Sequence, residues 1–100
     1  MTEIDVPFVS SSELVVVKML EMAKLKPNDV LFDLGCGDGR IIVEAAQSFG
    51  ATSVGIEKRR DLAIEASGKA KELNLSRRMG VIVGDFYSFD ISRADVVVSY

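Results

Sequence analysis

A chain of 100 residues, 48% of them hydrophobic, has room for one domain with a modest core. Twelve Lys and Arg against fifteen Asp and Glu leave a net charge of −3, which gives no electrostatic basis for nucleic acid or an anionic membrane as main partner. Histidine is absent and Cys36 is the single cysteine, so composition argues against His-assisted hydrolysis, an internal disulfide and a metal cluster.

No N-terminal segment reads as a signal peptide, and no apolar run approaches the roughly 18 residues of a membrane span. A cytoplasmic setting is the expectation. The first ten residues, MTEIDVPFVS, lack a period and contain Pro7, which predicts an extended arm. Ser10 with Glu13 three positions on matches a capping box and predicts a helix. Its inner stripe would be Leu14, Val17, Leu20 and Leu25, with Pro27, Asn28 and Asp29 ending it. Residues 1–26 are thus read as an arm plus a helix.

Four short apolar runs follow: VLFDL at 30–34, SVGI at 53–56, VIV at 81–83 and DVVV at 95–98. None alternates polar with apolar, the pattern of strands buried on both faces of a parallel sheet. RIIVEAAQSF, with Gly50 placed as a C-cap, predicts a helix between the first two strands. RRDLAIEASGKAKELN predicts another, with Leu62, Ala66, Lys69, Ala70 and Leu73 on one face. The link from Gly84 to Ala94 is too short for a full helix. At roughly 3.3 Å per extended residue, it can still carry the fourth strand to the far side of the first, the topological switch point. The expected fold is α/β: a Rossmann-like three-layer α-β-α arrangement with a mostly parallel sheet, truncated after about four strands, in one partial domain over residues 1–100.

Gly35, Gly37 and Gly39 occupy alternate positions between the first strand and its helix. Such a loop lets a ligand lie against bare backbone, with a helix N-terminus behind it that favours an anionic group. The spacing is not the G-x-G-x-x-G of dinucleotide sites, and no P-loop Lys follows. Asp33 and Asp38 beside the loop oppose a pyrophosphate but suit a ligand carrying an ammonium and a sulfonium, as S-adenosylmethionine does. Glu57 closes the second strand 22 positions after Gly35, near the roughly 20 expected of a ribose-binding carboxylate. Asp85 closes the third strand, where it can accept a bond from an adenine amino group, and Phe86 offers a face or edge to the purine. Cys36 reads as a small loop residue, Arg40 as a partner for Asp38, and Tyr87 and Phe89 as core.

With these stretches in view, the chain resembles the class I S-adenosylmethionine-dependent methyltransferases. DLGCGDGR looks like their first motif, VGIEKRRDL their second, VGDFYSFD their third and ADVVVSY the start of their fourth. PFVSSSEL, GIEK and GDF further resemble the branch of Dot1-type and small microbial or mitochondrial protein-lysine methyltransferases. The resemblance implies that Asp33, Gly35 and Gly37 hold the methionine part of the cofactor, Glu57 the ribose, and Asp85 with Phe86 the adenine. It also implies that Phe8 and Ser10 close over the cofactor, and that Tyr100 lines the acceptor site as the catalytic candidate.

The function expected is methyl transfer by in-line displacement, with a protein lysine as acceptor. The alternative is a non-catalytic module that holds S-adenosylmethionine or a nucleotide for an assembly. An open edge on DVVVSY would invite strand pairing or further chain beyond Tyr100.

Overall fold

Four residues of the predicted arm form a strand. The computed structural model describes residues 2–5 and 13–99, in which β1 spans Thr2–Asp5 and helix α1 spans Glu13–Met22. Strand β2 (Val30–Leu34) and helix α2 (Arg40–Phe49) follow, then β3 (Thr52–Glu57), α3 (Arg60–Glu72) and β4 (Met79–Val83). A single 3-10 turn at Phe86–Ser88 precedes β5 (Val96–Ser99). The sheet has five strands in the order β1-β5-β2-β3-β4, all parallel. β5 lies beside β2 as expected, with Asp33 opposite Val98 and Leu34 opposite Ser99. Its other edge is covered: Thr2–Asp5 pairs with Val96–Ser99, and the Thr2 N–H donates to the Asp95 carbonyl at 3.0 Å.

Helices α1, α2 and α3 share one face of the sheet. Leu31, Met79, Val96 and Val98 point into that layer and meet Val16 and Leu20 of α1, Ile42 and Ala45 of α2, and Ala70 of α3. Ile42 is fully buried, and its truncation to Ala should cost about 2–5 kcal/mol. The opposite face carries Leu34, Ile56, Ala94 and Val97, covered by Phe86, Phe89 and Ile91 of the crossing between β4 and β5. That crossing passes β3 and β2 in extended and turn conformations, which explains how so short a link reaches the far side of β2.

Several expectations shift by a residue or a face. In α1 the buried positions are Val16 and Leu20, whereas Leu14 is 67% exposed, because the helix turns its Val16 side to α2. The inner face of α3 is alanine: Ala63, Ala66 and Ala70 are buried and Leu73 is exposed. Small residues there let α3 approach the sheet closely. β4 is an edge strand, so Ile82 and Val83 are exposed and it is not buried on both faces. Tyr87 is 86% exposed, turned outward by the 3-10 turn, and is not core. Gly50 caps α2 as predicted, with φ 68° and its N–H donating to the Ala45 carbonyl. Among the described residues, no helix is long and apolar enough to cross a membrane.

Candidate cofactor site

The polypeptide leaves β2 at the point where the strand order reverses, with β3 and β4 to one side and β5 and β1 to the other. Parallel α/β sheets bind ligands in the crevice above such a point. Residues 35–39 fill that position as a tight loop that leads into α2. The Gly35 and Cys36 N–H groups both donate to the Ile56 carbonyl, at 2.8 and 3.2 Å, which ties the loop's first residues to β3. Gly37 has φ 57°, a conformation that disfavours L side chains, and a Cβ placed on it would meet no atom within 4 Å. Bare backbone therefore faces open space at the middle of the loop. Gly39 is tight instead: it has φ 88°, and a Cβ there would lie 2.8 Å from that of Ala66. This contact seats the start of α2 on α3.

Glu57, the last residue of β3, is 8% exposed and holds two backbone groups at once. Its Oε1 accepts from the Gly37 N–H at 2.8 Å, and its Oε2 accepts from the Arg59 N–H at 2.9 Å. Asp33 lies on the same face of the sheet, opposite Gly55, and is 2% exposed. Burial, then the nearby charge of Glu57, pushes the Asp33 carboxyl up to about 7. Asp85 follows β4, which the Gly84 N–H continues by donating to the Glu57 carbonyl at 2.9 Å. Its side chain is exposed and accepts from the Tyr87 N–H at 3.0 Å, capping the 3-10 turn. Phe86 is half-buried against the Leu34, Ile56 and Val97 cluster. Asp33, Glu57 and Asp85 thus stand at the carboxyl ends of β2, β3 and β4, with the first two brought against the loop. Phe8, Ser10 and Tyr100 lie outside the described residues.

Charge around the loop is organised by Asp38. The Arg40 Nη2 donates to it at 3.1 Å, as the sequence suggested, and Lys69 Nζ of α3 sits 3.6 Å away. The Arg40 hydrogen bond holds the Asp38 carboxyl below its ordinary value, with Lys69 adding to it against the effect of burial. Lys69 was legible as a charge on the predicted inner face of α3, where it needed a carboxylate. Cys36 is buried beneath the loop, and burial followed by the charges of Asp33 and Glu57 pushes its thiol up to about 12. It is a neutral thiol, not a nucleophile. A hollow bordered by Glu13, Val16, Arg40, Glu44 and Lys69 opens on the helical layer, beside the two cations that hold Asp38.

Residues 33–100 match the ANTKMT methyltransferase domain. The chain belongs to that family. Its domain is a class I S-adenosylmethionine-dependent methyltransferase domain. Among relatives, it is 41% identical over 96 residues to a protein-lysine N-methyltransferase of Saccharolobus islandicus, covering 95% of this chain and 60% of that protein. It is 37% identical over 43 residues to a Dictyostelium discoideum histone-lysine N-methyltransferase, H3 lysine-79 specific, covering 43% of this chain and 2% of that protein. Among solved structures, an RNA methyltransferase from Salinibacter ruber in complex with S-adenosyl-L-homocysteine superposes with a TM-score of 0.87 at 44% identity. That match covers 92% of this chain and 60% of the other. The methyltransferase domain described here therefore spans about 60% of the length of these two fuller relatives.

The residues present fit the family's cofactor. Open space at Gly37 leaves room for a ligand against the backbone, and the buried carboxylates of Asp33 and Glu57 beside it suit a cationic group.

Proposed function

We propose that this chain is the cofactor-binding part of a methyltransferase that modifies a protein lysine, acting in the cytoplasm. The observation that carries the reading is the Gly37 cradle, left open above β2 and bounded by Asp33 and Glu57. The protein-lysine N-methyltransferase relative, matched over 95% of this chain, supports the acceptor class. The net charge of −3 gives no electrostatic basis for RNA and is too small to argue for a basic protein.

When bound, S-adenosylmethionine supplies a methyl group on a positively charged sulfur. The chain's own work is placement and electrostatics. Asp33, in its buried position, binds the cationic methionine end beside Gly35 and Gly37. Glu57 holds the loop and, through the remaining lone pairs of its carboxylate, takes the ribose hydroxyls. Asp85 and Phe86 bind and orient the adenine at the end of β4. From the family resemblance, the proposed roles of Phe8 and Ser10 are in cofactor binding and that of Tyr100 is at the acceptor site, all three outside the described residues. An attacking lysine must be neutral, and a dry aromatic-lined channel favours that form without a histidine base.

The test is incubation with methyl-labelled S-adenosylmethionine and, in parallel, protein and RNA acceptor pools. Label on lysine ε-amines, mapped by peptide mass spectrometry, is the expected result. Label confined to RNA would overturn the acceptor assignment, and cofactor binding with no transfer to either pool would favour the binding-module alternative.

A further inference from the structure

One strand residue facing the loop has no side chain. Gly55 is buried in the middle of β3, between Ser53 and Glu57 on the face toward α2. Glycine weakens a strand, and its presence there marks a close approach by something else. Here that neighbour is Cys36. A Cβ on Gly55 would lie 2.5 Å from the Cys36 Sγ, 2.7 Å from its Cβ and 2.9 Å from the Ile42 Cδ1. The Cys36 side chain therefore hangs from the loop into the space that Gly55 leaves, and it is 7% exposed.

We infer that Gly55 and Cys36 form a size-matched seat that sets the height of the glycine loop above the sheet, making both positioning residues for the cofactor. Cys36 stands between Gly35 and Gly37, so any lift of its Cβ lifts both glycines. Restoring an ordinary Cβ contact of 3.4 Å from 2.7 Å requires a displacement of about 0.7 Å. Carried to Gly37, that displacement stretches the 2.8 Å bond to Glu57 to about 3.5 Å, where a hydrogen bond is weak. The same β3 face anchors α2 lower down, where the Ser53 hydroxyl donates to the Ile42 carbonyl at 2.8 Å. The loop thus has little freedom to tilt away from an added methyl group.

Calorimetry with S-adenosyl-L-homocysteine tests the seat from both sides, with thermal unfolding followed in parallel. Gly55→Ala should weaken binding by about tenfold or more, and Cys36→Gly in the same chain should recover about threefold or more of that loss. Should Gly55→Ala not fold, the cysteine side decides alone. Cys36→Val, which adds bulk from above, should bind about tenfold more weakly than the parent, and the size-conserving Cys36→Ser should bind at least about fivefold more tightly than Cys36→Val. Nativelike affinity in Cys36→Val, or a double variant no better than Gly55→Ala, would overturn the seat. Either result leaves the lysine-acceptor reading untouched, since no acceptor enters the measurement.

Discussion

The Oε1 of Glu57 lies 2.8 Å from the Gly37 nitrogen, so the end of β3 grips the middle of the glycine loop before any ligand arrives. The other carboxylate oxygen grips Arg59, 2.9 Å away, at the start of α3. Removing this side chain takes away two charge-assisted bonds and, on the proposed reading, its ribose contacts as well. Such bonds are worth roughly 1.5–3 kcal/mol each. Glu57→Ala should weaken S-adenosylmethionine binding by about 10- to 150-fold and lower the unfolding midpoint too, because Gly37 and Arg59 lose their acceptor. Glu57→Gln, which keeps one acceptor oxygen, should fall between. Calorimetry and thermal melts check both, and an unchanged dissociation constant would remove Glu57 from the site.

If Asp33 binds the cationic end of the cofactor as proposed, affinity should depend on pH. Its carboxyl is pushed up to about 7 by burial first and by Glu57 second. A cationic ligand binds the ionised form, so affinity should rise between about pH 6 and 8 and level off above, and Asp33→Asn should flatten the profile. Stability runs the other way. A raised carboxyl value means that the folded state keeps a proton the unfolded chain has released. Stability therefore falls as pH climbs from about 4 toward 7, and is flat above. Asp38, held below its ordinary value, acts only at the acid end, where its contribution is lost as pH falls. Titrations of affinity and of unfolding midpoint in opposite directions, both abolished in Asp33→Asn, are the expected signature.

Gly39 joins two demands in one residue. Its φ of 88° costs an L side chain about 1–2 kcal/mol, and its Cβ position lies 2.8 Å from Ala66. Gly39→Ala should lower the melting midpoint by about 5 °C or more. Ala66→Gly removes the contact but costs about 1 kcal/mol of helix propensity. The double variant should therefore be less destabilised than the sum of the singles. Strict additivity would mean that Gly39 is required for its backbone conformation alone.

How much of this was legible depended on distance along the chain. VLFDL was readable as β2 to the residue, because a strand buried on both faces is a continuous apolar run flanked by breakers. Asp33 and Glu57 were readable as carboxylates at strand ends for the same reason. The double grip of Glu57 was not, since it needs the loop's fold and not its composition. The Gly55–Cys36 contact rests on the register between β2 and β3, which no local pattern encodes. In α1, Leu14 and Val16 are equally apolar, and only packing against α2 decided which went inside. β1 was hidden most completely. TEID is short and polar, Pro7 follows closely, and its partner lies at the other end of the sequence.

That strand has a measurable duty. β5 presents Val96, Val97 and Val98, an uncharged β-branched run, and β1 occupies the edge that would otherwise expose its backbone. Such edges pair with other chains unless they are covered. β1 itself is four residues long, with Thr2 and Glu3 exposed, which makes it a poor template for further pairing. Deleting residues 1–5 should therefore produce association that grows with protein concentration, seen by light scattering, while the parent chain scatters as a monomer over the same range. A deleted chain that stays monomeric at high concentration would show that β5 is protected by something other than Thr2–Asp5.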